Sequence, residues 1–148
     1  MSDNRVEEVM SRFQEGMTCS EAIFSVYGQH LGVDRDTCVK IASVFAGGIN
    51  HTGNVCGAVT GAIMAIGLKY SEVRTRPPTE FKELPKSYRI ASEFTTKFKE
   101  RNGTIICREL IDHDLLTVED IQHAFKTDAF KNCPKFVNDV AEILESIL

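Results

Sequence analysis

The chain has 148 residues, of which 43% are hydrophobic and 26% charged, with a net charge of −4. That balance suits one globular domain over 1–148 with a single core, and it lacks the basic footprint of a nucleic-acid binder. No apolar run reaches the roughly 20 residues of a membrane span. The opening MSDNRVEEVMSRF has no apolar signal-peptide region, so the expectation is a cytoplasmic protein with no membrane insertion.

Val6, Val9, Met10 and Phe13 recur at helical spacing, and Gly16 is placed to end that helix. Thr18-Cys19-Ser20-Glu21 has the form of a capping box, which makes Cys19 the first residue of a helix running through Ala22, Ile23, Val26 and Tyr27 to near Gly32. Asp34 or Asp36 opens a third helix, with Cys38, Ile41, Ala42 and Phe45 as its apolar face. Gly47 and Gly48 close it.

The stretch 47–70, GGINHTGNVCGAVTGAIMAIGLKY, is a glycine-rich loop followed by an almost uncharged segment. It predicts a central helix buried on nearly all sides, capped by Asn54, with Cys56 in its first turn. Gly57 and Gly61 share one face, where another backbone can approach closely; Val59, Ile63, Met64 and Ile66 lie on the other. The Gly-x-x-x-Gly spacing also suits a contact between copies of the chain, so a homo-oligomer is one expectation.

Residues 71–86 are polar and proline-rich, and read as a surface excursion with one helical turn. A helix from Ser87 to Asn102 follows, with Gly103 just past its end. Thr104 is placed to cap a short helix, Ile105 to Ile111, with Cys107 in its first turn. Thr117 and Asp120 form a second capping box, for a helix to about Phe130. Asn132 caps the last helix, with Cys133 first, Pro134 next, and Val137, Val140, Ile143, Leu144 and Leu148 as the buried stripe. No alternating strand pattern appears. The fold class is all-α, with six or seven helices around the Gly/Ala-rich central one.

Five cysteines in a reducing compartment point to metal or redox chemistry rather than a disulfide framework. Cys19, Cys56, Cys107 and Cys133 each fall in the first turn of a predicted helix. Unpaired N–H groups and the helix dipole favour a thiolate there and lower its pKa. Cys38 lies on an apolar stripe and reads as core. The four stand 37, 51 and 26 residues apart. There is no CxxC and no CxxCH, so neither a local dithiol motif nor covalently attached haem is supported. The single histidines His30, His113 and His123 read as surface or capping residues.

The sequence resembles the redox-active protein family named for its C_GCAxxG_C_C pattern. The CGAxxG motif stands as Cys56-Gly57-Ala58-Val59-Thr60-Gly61, with Cys19 (in Cys-Ser-Glu-Ala) as the first cysteine and Cys107 and Cys133 as the third and fourth. The resemblance runs from about residue 5 to 147. The family is similar in turn to the non-haem part of split-Soret cytochromes, which implies an iron–sulfur or metal site held by the four cysteines.

Three readings follow. In the first, Cys19, Cys56, Cys107 and Cys133 bind an iron–sulfur cluster or zinc, Gly57 lets backbone come close, and His51 supports or replaces a ligand. An electron donor or acceptor, whose identity the sequence does not reveal, is then the partner. In the second, Cys56 is the attacking thiol of thiol–disulfide chemistry and another of the four resolves. In the third, the chain is a helical binding module with buried structural thiols.

Overall fold

The computed structural model describes residues 2–73 and 82–148, and the sequence-predicted helical turn of the excursion lies largely outside them. The described residues form eight α-helices and no strand. These are α1 (Ser2–Gln14), α2 (Cys19–His30), α3 (Arg35–Ala42), α4 (Gly57–Tyr70), α5 (Lys86–Asn102), α6 (Cys107–Ile111), α7 (Val118–Lys126) and α8 (Cys133–Ile147). A 3₁₀ turn, Ser43–Phe45, extends α3. Each lies where the sequence places a helix, although the total is one or two above the six or seven expected.

Both capping boxes form. The Thr18 hydroxyl accepts from the Glu21 N–H, and the Glu21 carboxylate accepts from the Thr18 N–H. Thr117 and Asp120 do the same for α7. Asp34 caps α3. Gly103 ends α5 in the left-handed region at φ 85°, a conformation that costs glycine nothing sterically.

Four boundaries differ from the sequence reading. α4 begins at Gly57, with Cys56 rather than Asn54 as its N-cap. The Asn54 amide donates to the Thr52 hydroxyl instead, at 2.7 Å. α6 begins at Cys107; the Thr104 hydroxyl caps the Ile106 N–H at 3.1 Å, one step before the helix. α7 stops at Lys126, where Thr127 turns extended, four residues short of Phe130. Asn132 precedes α8 without a side-chain capping bond.

The core lies between α2 and α4, with α1, α5 and α8 closing around them. Ile23, Val26, Val59, Ala62, Ile66, Phe94, Phe98, Val137, Val140 and Leu144 are all buried. The α2–α4 crossing is close because Gly61 has no side chain: a Cβ there would stand 3.1 Å from the Ser20 carbonyl oxygen and 3.2 Å from Ile23. α4 is not buried all round, since Ile63 and Leu68 reach the surface. Ile41 is exposed too; α3 covers α2 with Cys38 and Ala42 only.

Polar clamps hold the outer helices. Arg5 on α1 pairs with Glu145 on α8 through two nitrogens, at 2.8 and 3.0 Å. Buried Asp139 on α8 takes Lys135 at 2.7 Å and, across to α5, Arg101 and Asn102, each at 3.2 Å. A satellite core of Cys107, Leu115 and Ala124, with Ile111, Ile121 and Phe130 packed on it, joins α6 and α7.

Candidate functional site

Four helices begin at one place. Cys19 is the first residue of α2, Cys56 the N-cap of α4, Cys107 the first residue of α6 and Cys133 the first of α8. All four line one cavity of about 50 Å³, with Gly47, Gly57 and an apolar wall of Leu110, Ile111, Phe130, Phe136 and Val137. Cys56 and Cys107 are buried, Cys19 and Cys133 half-buried, and none is in a disulfide. The expected convergence of these four is therefore met, although they are far apart along the chain.

Backbone bonds explain how two of them meet. Val55 and Ile106 form an isolated antiparallel bridge. The Cys56 N–H donates to the Ile105 carbonyl at 2.8 Å, and the Cys107 N–H donates to the Asn54 carbonyl at 2.6 Å. Each cysteine thus enters its helix from a strand-like step that the other holds. Residues 47–51 all take positive φ, between 52° and 72°, and three of them (Ile49, Asn50 and His51) are not glycine. A run of this hand costs roughly 1–2 kcal/mol per non-glycine residue, and bonds such as His51 N–H to Ala46 O, 2.9 Å, hold it in place. The turn is tight enough that a Cβ on Gly48 would stand 2.7 Å from the Cys107 Cβ.

Gly57 makes room for the Cys19 sulfur. A Cβ there would stand 2.6 Å from the Cys19 sulfur and 3.0 Å from the Phe45 carbonyl oxygen. The missing side chain lets the Cys19 sulfur sit on the first turn of α4. There it faces the N–H groups of Ser20, Gly47 and Ala58, and Cys56 faces those of Val59 and Ala58.

The thiols are nevertheless held protonated, contrary to the expectation of a lowered pKa at the helix ends. Burial pushes Cys19 and Cys56 up despite their N–H donors. Burial, with the neighbouring Cys19, pushes Cys107 up to about 11. Burial, with Cys19 and Cys107, pushes Cys133 up to about 12. A helix end contributes about half a charge, while the apolar wall removes the water that would solvate a full thiolate. Cys19 is the neighbour common to the other three.

Among the described residues, no three His, Cys, Asp or Glu side chains are spaced to hold a metal ion as they stand. The donor set itself, four sulfurs with N–H groups aimed at two of them, has the chemistry of a thiolate metal site.

His51 does not line the cavity. Its ring packs over Gly47, which does, and against Phe125, with centroids 5.6 Å apart. Cys38 stands apart, as expected: its sulfur lies 3.9 Å from the Val33 carbonyl oxygen, in a notch opened by Gly28. The sequence reading missed the aromatic wall. Phe130 and Phe136 flank Cys133 three residues on either side, a symmetry visible in the sequence once α8 is known to start there.

A family model described as "Putative redox-active protein (C_GCAxxG_C_C)" matches residues 17–147. The chain belongs to this C_GCAxxG_C_C family. The match takes in all four cavity cysteines. The chain is also 27% identical, over 139 residues, to an "Uncharacterized protein" of Archaeoglobus fulgidus; the alignment covers 90% of this chain and 86% of the relative. No solved structure matches. No helix among the described residues is long and apolar enough to cross a membrane.

Proposed function

We propose that this C_GCAxxG_C_C protein is an electron carrier whose four cysteines take up an iron–sulfur or other metal centre in the cavity. The observation that carries the reading is the convergence of Cys19, Cys56, Cys107 and Cys133 on one cavity of about 50 Å³. They reach it as the first residues or N-cap of four separate helices.

Such a centre supplies a one-electron couple when bound. The chain's own residues set its surroundings. The four sulfurs give up their protons on loading, so uptake is favoured at higher pH. As placed, no three of them are spaced to hold an ion, so loading would require their side chains to move. The N–H groups of Ser20, Gly47, Ala58 and Val59 stabilise negative charge on Cys19 and Cys56. Hydrogen bonds to ligand sulfurs favour the more reduced state and raise the potential. Leu110, Ile111, Phe130 and Phe136 exclude water. His51, one layer out, supports Gly47 rather than supplying a ligand.

The dithiol alternative, with Cys56 as the reactive thiol, needs a thiolate near neutral pH. The burial of Cys56 opposes that; the metal reading needs thiolates too, but there the bound cation would supply the charge that offsets burial, which is why it is preferred.

The test is anaerobic purification, followed by iron, zinc and acid-labile sulfide analysis with a visible spectrum. Stoichiometric iron and sulfide, lost in Cys56→Ser and kept in Cys38→Ser, support the proposal. Zinc without sulfide overturns the electron-carrier role. A colourless, metal-free protein that also fails to assemble a cluster from added iron and sulfide overturns the metal reading altogether.

A further inference from the structure

A second cluster lies outside the cysteine cavity, on the segment between α6 and α7. His113 and His123 meet there on the surface. The His113 Nε2 is 2.9 Å from the His123 Nδ1. The rings are 5.2 Å apart at their centroids and inclined by 25°. The His113 Nδ1 is 2.7 Å from the Asp114 carbonyl oxygen.

That carbonyl decides the tautomer. A carbonyl oxygen can only accept, so in the neutral ring the His113 Nδ1 carries the hydrogen and its Nε2 presents a lone pair. A backbone carbonyl that fixes one ring nitrogen and frees the other is the support commonly found behind a metal-ligating histidine. In the metal-free pair, the His123 Nδ1–H donates into the His113 lone pair.

We infer that His113 and His123 form a separate surface site for a divalent transition-metal ion of the nickel or copper type. The ion takes the place of the shared proton, which moves to the outer Nε2 of His123 or to water. Both inner nitrogens then offer lone pairs to the ion.

The ligand type favours this ion class: imidazole suits nickel, copper and zinc, and among divalent ions affinity for such nitrogen sites rises through nickel to a maximum at copper. The pair already stands at hydrogen-bond distance, 2.9 Å, so one small ion can reach both nitrogens. His123 is exposed, so its ring can turn its lone pair toward the ion while the Asp114 carbonyl keeps that of His113 in place. His123 also lies in the last turn of α7, where the helix dipole favours a cation. No third histidine, cysteine or carboxylate among the described residues joins the pair, so water completes the coordination and the ion exchanges.

The site is independent of the four cysteines, and the test separates the two. Nickel(II), which thiols do not reduce, is titrated into the full-length protein at pH 7.5. Binding is followed by calorimetry and by nitrogen-15 NMR of the histidine rings and the amides. The expected result is a saturable site that perturbs His113, His123 and the α7 amides, and leaves those around Cys19, Cys56 and Cys107 unmoved. His113→Gln and His123→Gln should each weaken it by at least the roughly 10–100-fold that loss of even a supporting group costs a metal site. Neither substitution touches the buried core, so the amide spectra of the variants should otherwise superpose on that of the wild type. Equal binding by both variants, or perturbations confined to residues around Cys19 and Cys56, would place the nickel on the thiols and overturn the inference. So would the absence of saturable binding at millimolar nickel.

Discussion

Replacing Gly57 with alanine tests the close approach on which the cavity depends. The new Cβ would stand 2.6 Å from the Cys19 sulfur and 3.0 Å from the Phe45 carbonyl oxygen. Ordinary contact between such atoms is about 3.5–4.0 Å, so the sulfur must move by about 1 Å. The Phe45 oxygen is backbone, bonded to the Ile49 N–H at 3.1 Å, and cannot swing aside. Overpacking of this kind costs about 1–3 kcal/mol. Against it stands a helix-propensity gain of at most about 1 kcal/mol. Gly67, in the same helix, provides the control: its added Cβ would meet nothing closer than the Ser71 hydroxyl at 3.8 Å. Gly67→Ala should therefore stabilise by about 0.5–1 kcal/mol. The assay is urea unfolding of metal-free, reduced protein. The two substitutions should differ by about 1–3 kcal/mol, with Gly57→Ala the less stable, and Cys19→Ala should remove part of its penalty. If Gly57→Ala stabilises as much as Gly67→Ala, the sulfur does not rest on the helix, and the account of how α2 and α4 share the cavity is wrong.

Four further outcomes are expected. In metal-free folded protein the cavity thiols should resist alkylation at pH 7, whereas all five cysteines should label in denaturant. Because folding raises the thiol pKa values, the free energy they contribute is fully present below the unfolded value of about 8.5. It is lost as the pH climbs toward the folded values, about 11 for Cys107, so apo stability measured by urea should fall over that interval. Asp139 behaves in the opposite sense. Burial works against its charge, but the bonds from Lys135, Asn102 and Arg101 outweigh burial and hold its carboxyl below the usual range. Its contribution is present above the unfolded value of about 3.9 and is lost as pH falls through the lower folded one. Asp139→Asn should cost about 1–3 kcal/mol at pH 7, and that difference should shrink in acid unfolding curves. Tyr27→Phe removes a hydroxyl 2.9 Å from Glu145 and 3.2 Å from the Ala141 carbonyl oxygen. Thermal unfolding should report a loss of about 1 kcal/mol, because Arg5 still pairs with the carboxylate; no loss would mean that the hydroxyl bond contributes nothing.

Much of this molecule is local. Thr18, Asp34 and Thr117 start helices because each can reach an N–H three residues ahead, a relation contained within four residues of sequence. Gly103 ends α5 for an equally local reason. The cysteines at helix starts are legible on the same grounds, and the CGAxxG motif with three further cysteines marks the family without any coordinates. What sequence could not decide depends on partners distant in the chain. Asn54 loses the cap of α4 because its carbonyl accepts from the Cys107 N–H, 53 residues on, which commits that backbone to a bridge. Ile63 reaches the surface because only the Gly57–Gly61 side of α4 meets α2. The thiol pKa values reverse their expected direction for the same kind of reason. A helix dipole is a property of one helix, but the dry wall around the sulfurs is assembled from α6, α8 and the turn before α8. Desolvation by that wall exceeds the half-charge of a helix end, and only the tertiary structure brings the wall together.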